Sequence, residues 1–270
     1  MRRHQKFTAL GIIATVAFIS VSVRADVLFS DDFDRSTTLN NGVNFIASNP
    51  DPGPWTGSTL SNDGSDGQLS AAAAREGSAG FRLYVDGTSQ HRLDWTPATE
   101  PVVTVADKYV FDVRFNDSTG TRNYAMMQVY YANDASKDAI SLYRFDTNVQ
   151  IRMEQDGSGS GNYFGTTNIT MDTWYRFELT HNASEGKVNF KVTNLDTSTV
   201  VNDVDWTGTI AAQTAIDSVK FGLPYSGNNS STGHVDIDNF SVIDGVVPEP
   251  GSAAAMMLLM SGATMLRSRR

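Results

Sequence analysis

Aspartates near both ends of the middle of the chain are the first residues whose spacing suggests chemistry. Asp31, Asp32 and Asp34 follow the apolar run Val27 to Phe29. Asp236 and Asp238 alternate with Val235 and Ile237. Alternation along a strand puts Asp236 and Asp238 on one face. If the two runs lie side by side their carboxylates gather, and hard oxygen ligands are what Ca²⁺ takes. Asp31, Asp32, Asp34, Asp236 and Asp238 are therefore the candidate metal ligands, with structural calcium as the expected ion.

Aromatic side chains suggest a second chemistry, stacking on sugar rings. Trp55 sits in the loop Pro52-Gly53-Pro54-Trp55 and is the candidate ligand-binding residue. Trp95, Trp174, Trp206 and the tyrosines, Tyr84 and Tyr131 among them, are expected to pack in the core or at its rim. Hydrolysis of a glycosidic bond needs two carboxylates flanking it. The nearest local group is Glu154-Gln155-Asp156, and Glu178 and Glu185 are not spaced to complete it. A lyase calls for a Tyr-His-Arg group, but His91, His181 and His234 lie far apart and are expected at the surface or an edge. The chain has no cysteine, which excludes thiol catalysis and cysteine-ligated zinc. No nucleophile elbow, phosphate loop or zinc motif is present. These observations predict a protein that is not an enzyme.

The elements that must position these residues read as strands. Phe111, Val113 and Phe115 share one phase. So do Tyr175, Phe177 and Leu179, then Val188, Phe190 and Val192, then Val219, Phe221 and Leu223. Period two with aromatic and β-branched residues is the strand signal. Turn-forming clusters separate the runs, as at 116–120, 156–161, 182–186 and 226–233. A short helix is expected around 70–75, a long loop over 40–67 and one strand near 43–46. In the last strand Val235 and Ile237 keep one phase and Phe240 and Val242 the other, which predicts a bulge at Asp238-Asn239. The expected fold is all-β, a two-sheet antiparallel jelly-roll sandwich, flanked by an N-terminal signal helix and a short C-terminal apolar helix.

Asp31-Asp32-Phe33-Asp34 after the first strand, Trp174-Tyr175 opening a later one, the run Gly186 to Val192, and the closing His234 to Val242 together resemble the concanavalin A-like superfamily of laminin-G and glucanase jelly rolls. The resemblance implies two curved, stacked sheets with the first and last strands adjacent. It also implies structural calcium of the kind several lectin-like members hold. Jelly-roll glucanases carry Glu-x-Asp-x-x-Glu on their catalytic strand, and here the second glutamate is missing.

The two ends carry sorting information. Arg2, Arg3 and Lys6, the apolar stretch Phe7 to Val23, and Ala25 have the order of a secretory signal, residues 1–25, cut after Ala25. At the other end, residues 247–270 hold Val247-Pro248-Glu249-Pro250-Gly251, an apolar run over 253–266, and Arg267, Arg269 and Arg270. This three-part tail resembles the PEP-CTERM sorting signal. The resemblance implies an exosortase-type protease as partner, a transient inner-membrane insertion through a C-terminal transmembrane helix, and delivery to the outer surface or extracellular matrix.

Between the ends lies the single expected domain, 26–246. Removing the four cations of the signal and the tail's three arginines and one glutamate from the chain's net −9 leaves about −15. So acidic a domain is unsuited to nucleic acid or anionic membrane. The expected role is binding to, or structural association with, extracellular polysaccharide. The rivals are a jelly-roll hydrolase or lyase and a purely structural envelope protein.

Overall fold

Alternation becomes burial strand by strand. Along Trp174–Asn182, Tyr175, Phe177, Leu179 and His181 are buried while Arg176, Glu178 and Thr180 face outward. The computed structural model describes residues 25–34, 55, 57–58, 67–85, 91–96, 107–117, 123–131, 138–145, 148–154, 161–182, 187–207, 216–223 and 233–245. Numbered in chain order, these give fifteen strands in two sheets.

The larger sheet runs β13 (Thr199–Thr207), β12 (Lys187–Asn194), β11 (Trp174–Asn182), β6 (Asp107–Asp117), β15 (Gly233–Asp244), β4 (Gly80–Val85), β3 (Gly67–Ser70), with β1 (Asp26–Asp31) also paired to β15. The smaller runs β10 (Gly161–Asn168), β9 (Asn148–Glu154), β8 (Asp138–Phe145), β7 (Asn123–Tyr131), β14 (Ile216–Leu223), β5 (His91–Trp95), β2 (Gly57–Ser58). Every pairing is antiparallel. The sheets bury their facing sides against each other. Phe111, Phe115, Phe177, Phe190 and Phe240 come from the larger sheet, and Met127, Val129, Ile140, Leu142 and Val219 from the smaller. Phe177 meets Phe111 and Phe190 edge-on, with ring centroids 5.4 Å apart in both cases. Each such ring contributes about 1.5–3 kcal/mol by leaving water.

The last strand shows why two phases were needed. β15 pairs with β6 as far as Asp238↔Asp112 and resumes at Ser241↔Val110. Asn239 between them takes a left-handed backbone, φ 53°. The bulge returns Phe240 and Val242 to the core side. It also lets β15 change partners on its other edge, from β4 over Gly233–Ile237 to β1 over Phe240–Asp244. The first and last strands are thus adjacent.

Three expectations need correction. The helix around 70–75 is only a 3-10 turn, Ala71–Ala73, capped by Ser70 Oγ, which accepts from the Ala72 N–H at 3.2 Å. β4 begins directly beneath this turn: a Cβ at Gly80 would lie 2.1 Å from the Ala73 carbonyl oxygen, so only glycine fits. The terminal helices are the second correction. The described residues hold no α-helix, and no described helix is long and apolar enough to cross a membrane. The apolar runs expected to form the terminal helices, 7–23 and 253–266, lie outside the described residues. The fold of the described residues is all-β, which corrects the expected flanking helices and the transmembrane helix with its transient inner-membrane insertion. The physical reason was already in the tail: its apolar run over 253–266 would span about 21 Å at ~1.5 Å per residue, against a hydrocarbon core of ~30 Å. The third concerns the loop over 40–67, where residues 57–58 form β2. The strand expected near 43–46 lies outside the described residues.

Candidate functional site

The outer face of the larger sheet, turned away from the smaller one, carries two rows of polar and aromatic side chains fixed by register. One row crosses the strands as Gln68, Arg82, Asp236, Arg114 and Trp174. The next, two residues along, is Tyr84, His234 and Asn116. Arg82 sits at an outward position between buried Phe81 and Leu83, Asp236 between Val235 and Ile237, and Arg114 between Val113 and Phe115.

Asp236 is the centre of this group. Its carboxylate is fully buried and accepts from two guanidiniums. Arg82 donates through Nε at 2.7 Å and Nη2 at 3.0 Å, and Arg114 through Nη2 at 2.6 Å and Nε at 3.2 Å. Charge-assisted, near-parallel bonds of this kind fix geometry as well as charge. The hydrogen bond to Asp236 raises the Arg82 pKa, so its cation is permanent. Arg114 also lies over the Trp174 ring, 4.9 Å from its centroid, and donates to the Ala72 carbonyl at 2.6 Å. Beside the pair, the His234 Nε2 stands 3.7 Å from Asp236 Oδ2. The His234 ring meets Tyr84 edge-on with centroids 6.4 Å apart. Gln68 Nε2 donates to the Tyr84 hydroxyl oxygen at 2.7 Å, which leaves the Tyr84 proton free to point elsewhere. Burial lowers the His234 pKa; Asp236 pulls it up, and Arg82 and Arg114 push it down. His234 is therefore neutral at pH 7 and able to accept a proton.

A second ion-paired group continues the face. Arg176 grips Asp112 with Nε at 2.8 Å and Nη2 at 2.9 Å, and Asn239 Nδ2 donates to the same carboxylate at 3.2 Å. Asp238 accepts the backbone N–H groups of Arg75 at 2.8 Å and Glu76 at 3.1 Å, which pins the segment after the 3-10 turn against β15. Burial pushes the Asp238 pKa up to about 6, with Asp112 and Asp32 adding to the shift and its N–H donors opposing it.

The residues expected to bind calcium are placed as follows. Asp31 is buried and accepts from Trp55 Nε1 at 2.6 Å and from the Phe33 N–H at 2.7 Å. Asp32 caps the Asp34 N–H at 3.0 Å, and Asp34 accepts from the Ser78 hydroxyl and from the Ser78 N–H, the latter at 2.6 Å, which hold its pKa down. Asp236 already faces two cations. Among the described residues no group of three His, Cys, Asp or Glu is placed to hold a metal ion. Trp55 is 4% exposed, stacked with Phe240 and edge-on to Phe29, so it is a core residue rather than a surface platform. Val247, Pro248, Glu249, Pro250, Gly251 and the terminal arginines lie outside the described residues.

His181 was misread from the sequence as a surface or edge residue. His181 is buried between the sheets, its Nδ1 3.0 Å from Asp107 Oδ1. Tyr131 donates to the other Asp107 oxygen at 2.6 Å, and Tyr109 donates there as well. Burial, with Asp107 adding to it, raises both tyrosine pKa values well above the usual. This group is sealed in the core. His234, by contrast, sits in the outward phase of β15 with Tyr84 and two arginines around it. The outward phase was readable in the sequence, but the pairing of β4, β15 and β6 that unites these residues was not.

No protein-family model matches the chain, and no curated protein matches it. Solved structures do. The chain is similar to a carbohydrate esterase of the Shiga toxin-encoding bacteriophage phi24B, with TM-score 0.52 and 11% identity over 83% of this chain and 100% of that one. It is also similar to the globular domain of T. cruzi calreticulin, with TM-score 0.50 and 12% identity over 82% and 89%. A GH131 β-glucanase catalytic domain from Podospora anserina matches with TM-score 0.48 and 14% identity over 82% and 97%. At such identities the likeness is one of fold alone, and the first two matches bear out an antiparallel, jelly-roll-like β-sandwich.

Proposed function

We propose that the domain engages an acidic extracellular polysaccharide through the outer face of its larger sheet. The observation that carries this reading is the gathering of Gln68, Arg82, Tyr84, Arg114 and His234 on four neighbouring strands. Guanidiniums suit the planar carboxylate of a uronic acid, and the tyrosine and tryptophan rings suit its sugar face. Of the two ways to engage such a chain, cleavage has a specific observation in its favour and plain binding does not. A β-elimination needs a base at the carbon next to the carboxylate, donors to hold the developing negative charge, and an acid at the leaving oxygen. His234, neutral at pH 7, is the base. Arg82, Arg114 and Asn116 hold the carboxylate, and the Tyr84 hydroxyl protonates the glycosidic oxygen. The C–H electron pair becomes the new C=C bond as the C–O bond breaks, so no co-reactant is needed. The shared fold of a carbohydrate esterase supports a catalytic reading only in that the fold accommodates one.

The test is to incubate the protein with uronate polysaccharides and follow the ultraviolet absorbance of the unsaturated product. Absorbance that His234→Ala and Tyr84→Phe abolish establishes the lyase. Binding without absorbance returns the protein to the non-enzymatic reading, and neither outcome leaves a structural matrix protein. Export and surface sorting by an exosortase-type protease are proposed on the residues of the two ends alone. They are checked by the N-terminal sequence and cellular fraction of the mature protein.

A further inference from the structure

A cavity of about 420 Å³ lies on the same outer face as the candidate site but toward the other end of the strands. On β6, Lys108 in the cavity and Arg114 in the candidate site are six residues apart, about 20 Å at the rise of a strand. Ligand pockets commonly occupy about 300–1,000 Å³, so the space is of ligand size. Register builds its floor: Lys108, Thr180 and Asn189 form one row across β6, β11 and β12, and Glu178, Lys191 and Asp203 form the next across β11, β12 and β13. Val27 of β1 and Ile243 of β15 make an apolar wall, and Val27 is 62% exposed there.

The charges of this floor cancel. Lys108 is paired with Glu178. Asn189 Nδ2 donates to Asp203 at 2.9 Å and to Asp205 at 2.8 Å, which leaves the Asn189 carbonyl oxygen as an acceptor. Lys191 stands opposite Asp203 in register and, among the described residues, holds no ion pair. With Lys108 and Lys191 set against Glu178 and Asp203, and Asp205 beside them on Asn189, an anionic ligand gains no net attraction. A neutral polyhydroxylated ligand meets alternating donors and acceptors on the floor and an aliphatic wall for its C–H face. Bonds that Lys191 donates to hydroxyl oxygens, and that hydroxyls donate to Asp203, are charge-assisted and stronger than neutral ones.

We infer that this cavity is a second glycan site, selective for neutral sugar residues, separate from the Tyr84–His234 group. It does not rest on the acidic-polysaccharide reading. The experiment is calorimetric or saturation-transfer binding of neutral β-glucan and mannan tetrasaccharides to the full chain, with oligouronate as the comparison ligand. At least one neutral tetrasaccharide binds the unaltered chain. Lys191→Met and Thr180→Val weaken it about tenfold or more and leave oligouronate binding unchanged, and Arg114→Gln does the reverse. Absence of neutral-sugar binding to the unaltered chain overturns the inference, as does equal binding by Lys191→Met. Loss of oligouronate binding alone tells against the first site and not this one.

Discussion

Asp236 and Arg114 face each other in register on β15 and β6, and the Arg114 Nη2 reaches the fully buried Asp236 carboxylate at 2.6 Å. With Arg82 on the opposite flank, one carboxylate balances two cations. Removing it leaves both guanidiniums facing each other across β15. Breaking a buried pair typically costs about 3–5 kcal/mol, and the partial exposure of both arginines puts Asp236→Asn near the lower end. The expected outcome is a destabilisation of about 3 kcal/mol by urea melt, with His234 now titrating lower because Asp236 no longer favours its cation.

Asp238 gives a pH dependence of definite sign. Its folded pKa of about 6 lies above the ordinary carboxylate value, so the folded state holds the proton more tightly than the unfolded chain does. Its favourable contribution is fully present below about pH 4 and is lost as pH rises through about 6. Asp238→Asn does not titrate. Urea midpoints of the two proteins between pH 4 and 7 are expected to change in favour of the variant as pH rises, on top of a constant offset from the altered acceptor for Arg75 and Glu76. A difference that is flat with pH would sink the assignment.

Trp55 is expected to act as a core residue. Its ring packs on Phe29 and Phe240 and its Nε1 holds Asp31, so Trp55→Ala should cost about 3–5 kcal/mol. At temperatures where the variant remains folded, its polysaccharide affinity should match that of the unaltered protein. A selective loss of affinity would restore Trp55 to a binding surface.

Trp55 also marks what the sequence hides. Strand phase was legible because period two survives in any window, and so the core side of β6, β11 and β12 was read correctly, as was the bulge at Asp238-Asn239. A tryptophan that follows Pro52-Gly53-Pro54 looks like a loop tip, and nothing local says that Asp31 waits for its N–H. The same holds for His234. Its outward phase could be read, but its neighbours Tyr84 and Asn116 come from strands about 150 and 118 residues earlier, and register between distant strands leaves no local trace. The setting of the aspartates was hidden for a related reason: spacing reveals carboxylates but not the arginines and backbone donors that face them.

Calcium is tested by thermal melts in Ca²⁺ and in chelator. A bound ion raises Tm with concentration, since ligand binding to the folded state alone stabilises it by mass action. Because Asp236 faces Arg82 and Arg114, and Asp31 and Asp34 already accept N–H donors, the expected result is coincident melts.

β1 sets where the proposed N-terminal cut would leave the fold intact. Asp26 pairs with Asp244 and Val27 with Ile243, while Phe29 is buried 4.9 Å from Trp55, 5.0 Å from Trp95 and 5.5 Å from Phe240 by ring centroid. Cleavage after Ala25 leaves all of these contacts in place. A chain beginning at Ser30 loses Phe29 and much of the β1 pairing, a loss on the order of the 3–5 kcal/mol of a buried aromatic truncation. Proteins beginning at Asp26 and at Ser30 are therefore expected to differ by that amount in urea. Equal stability would mean that β1 is dispensable and would remove the structural reason for a cut at Ala25.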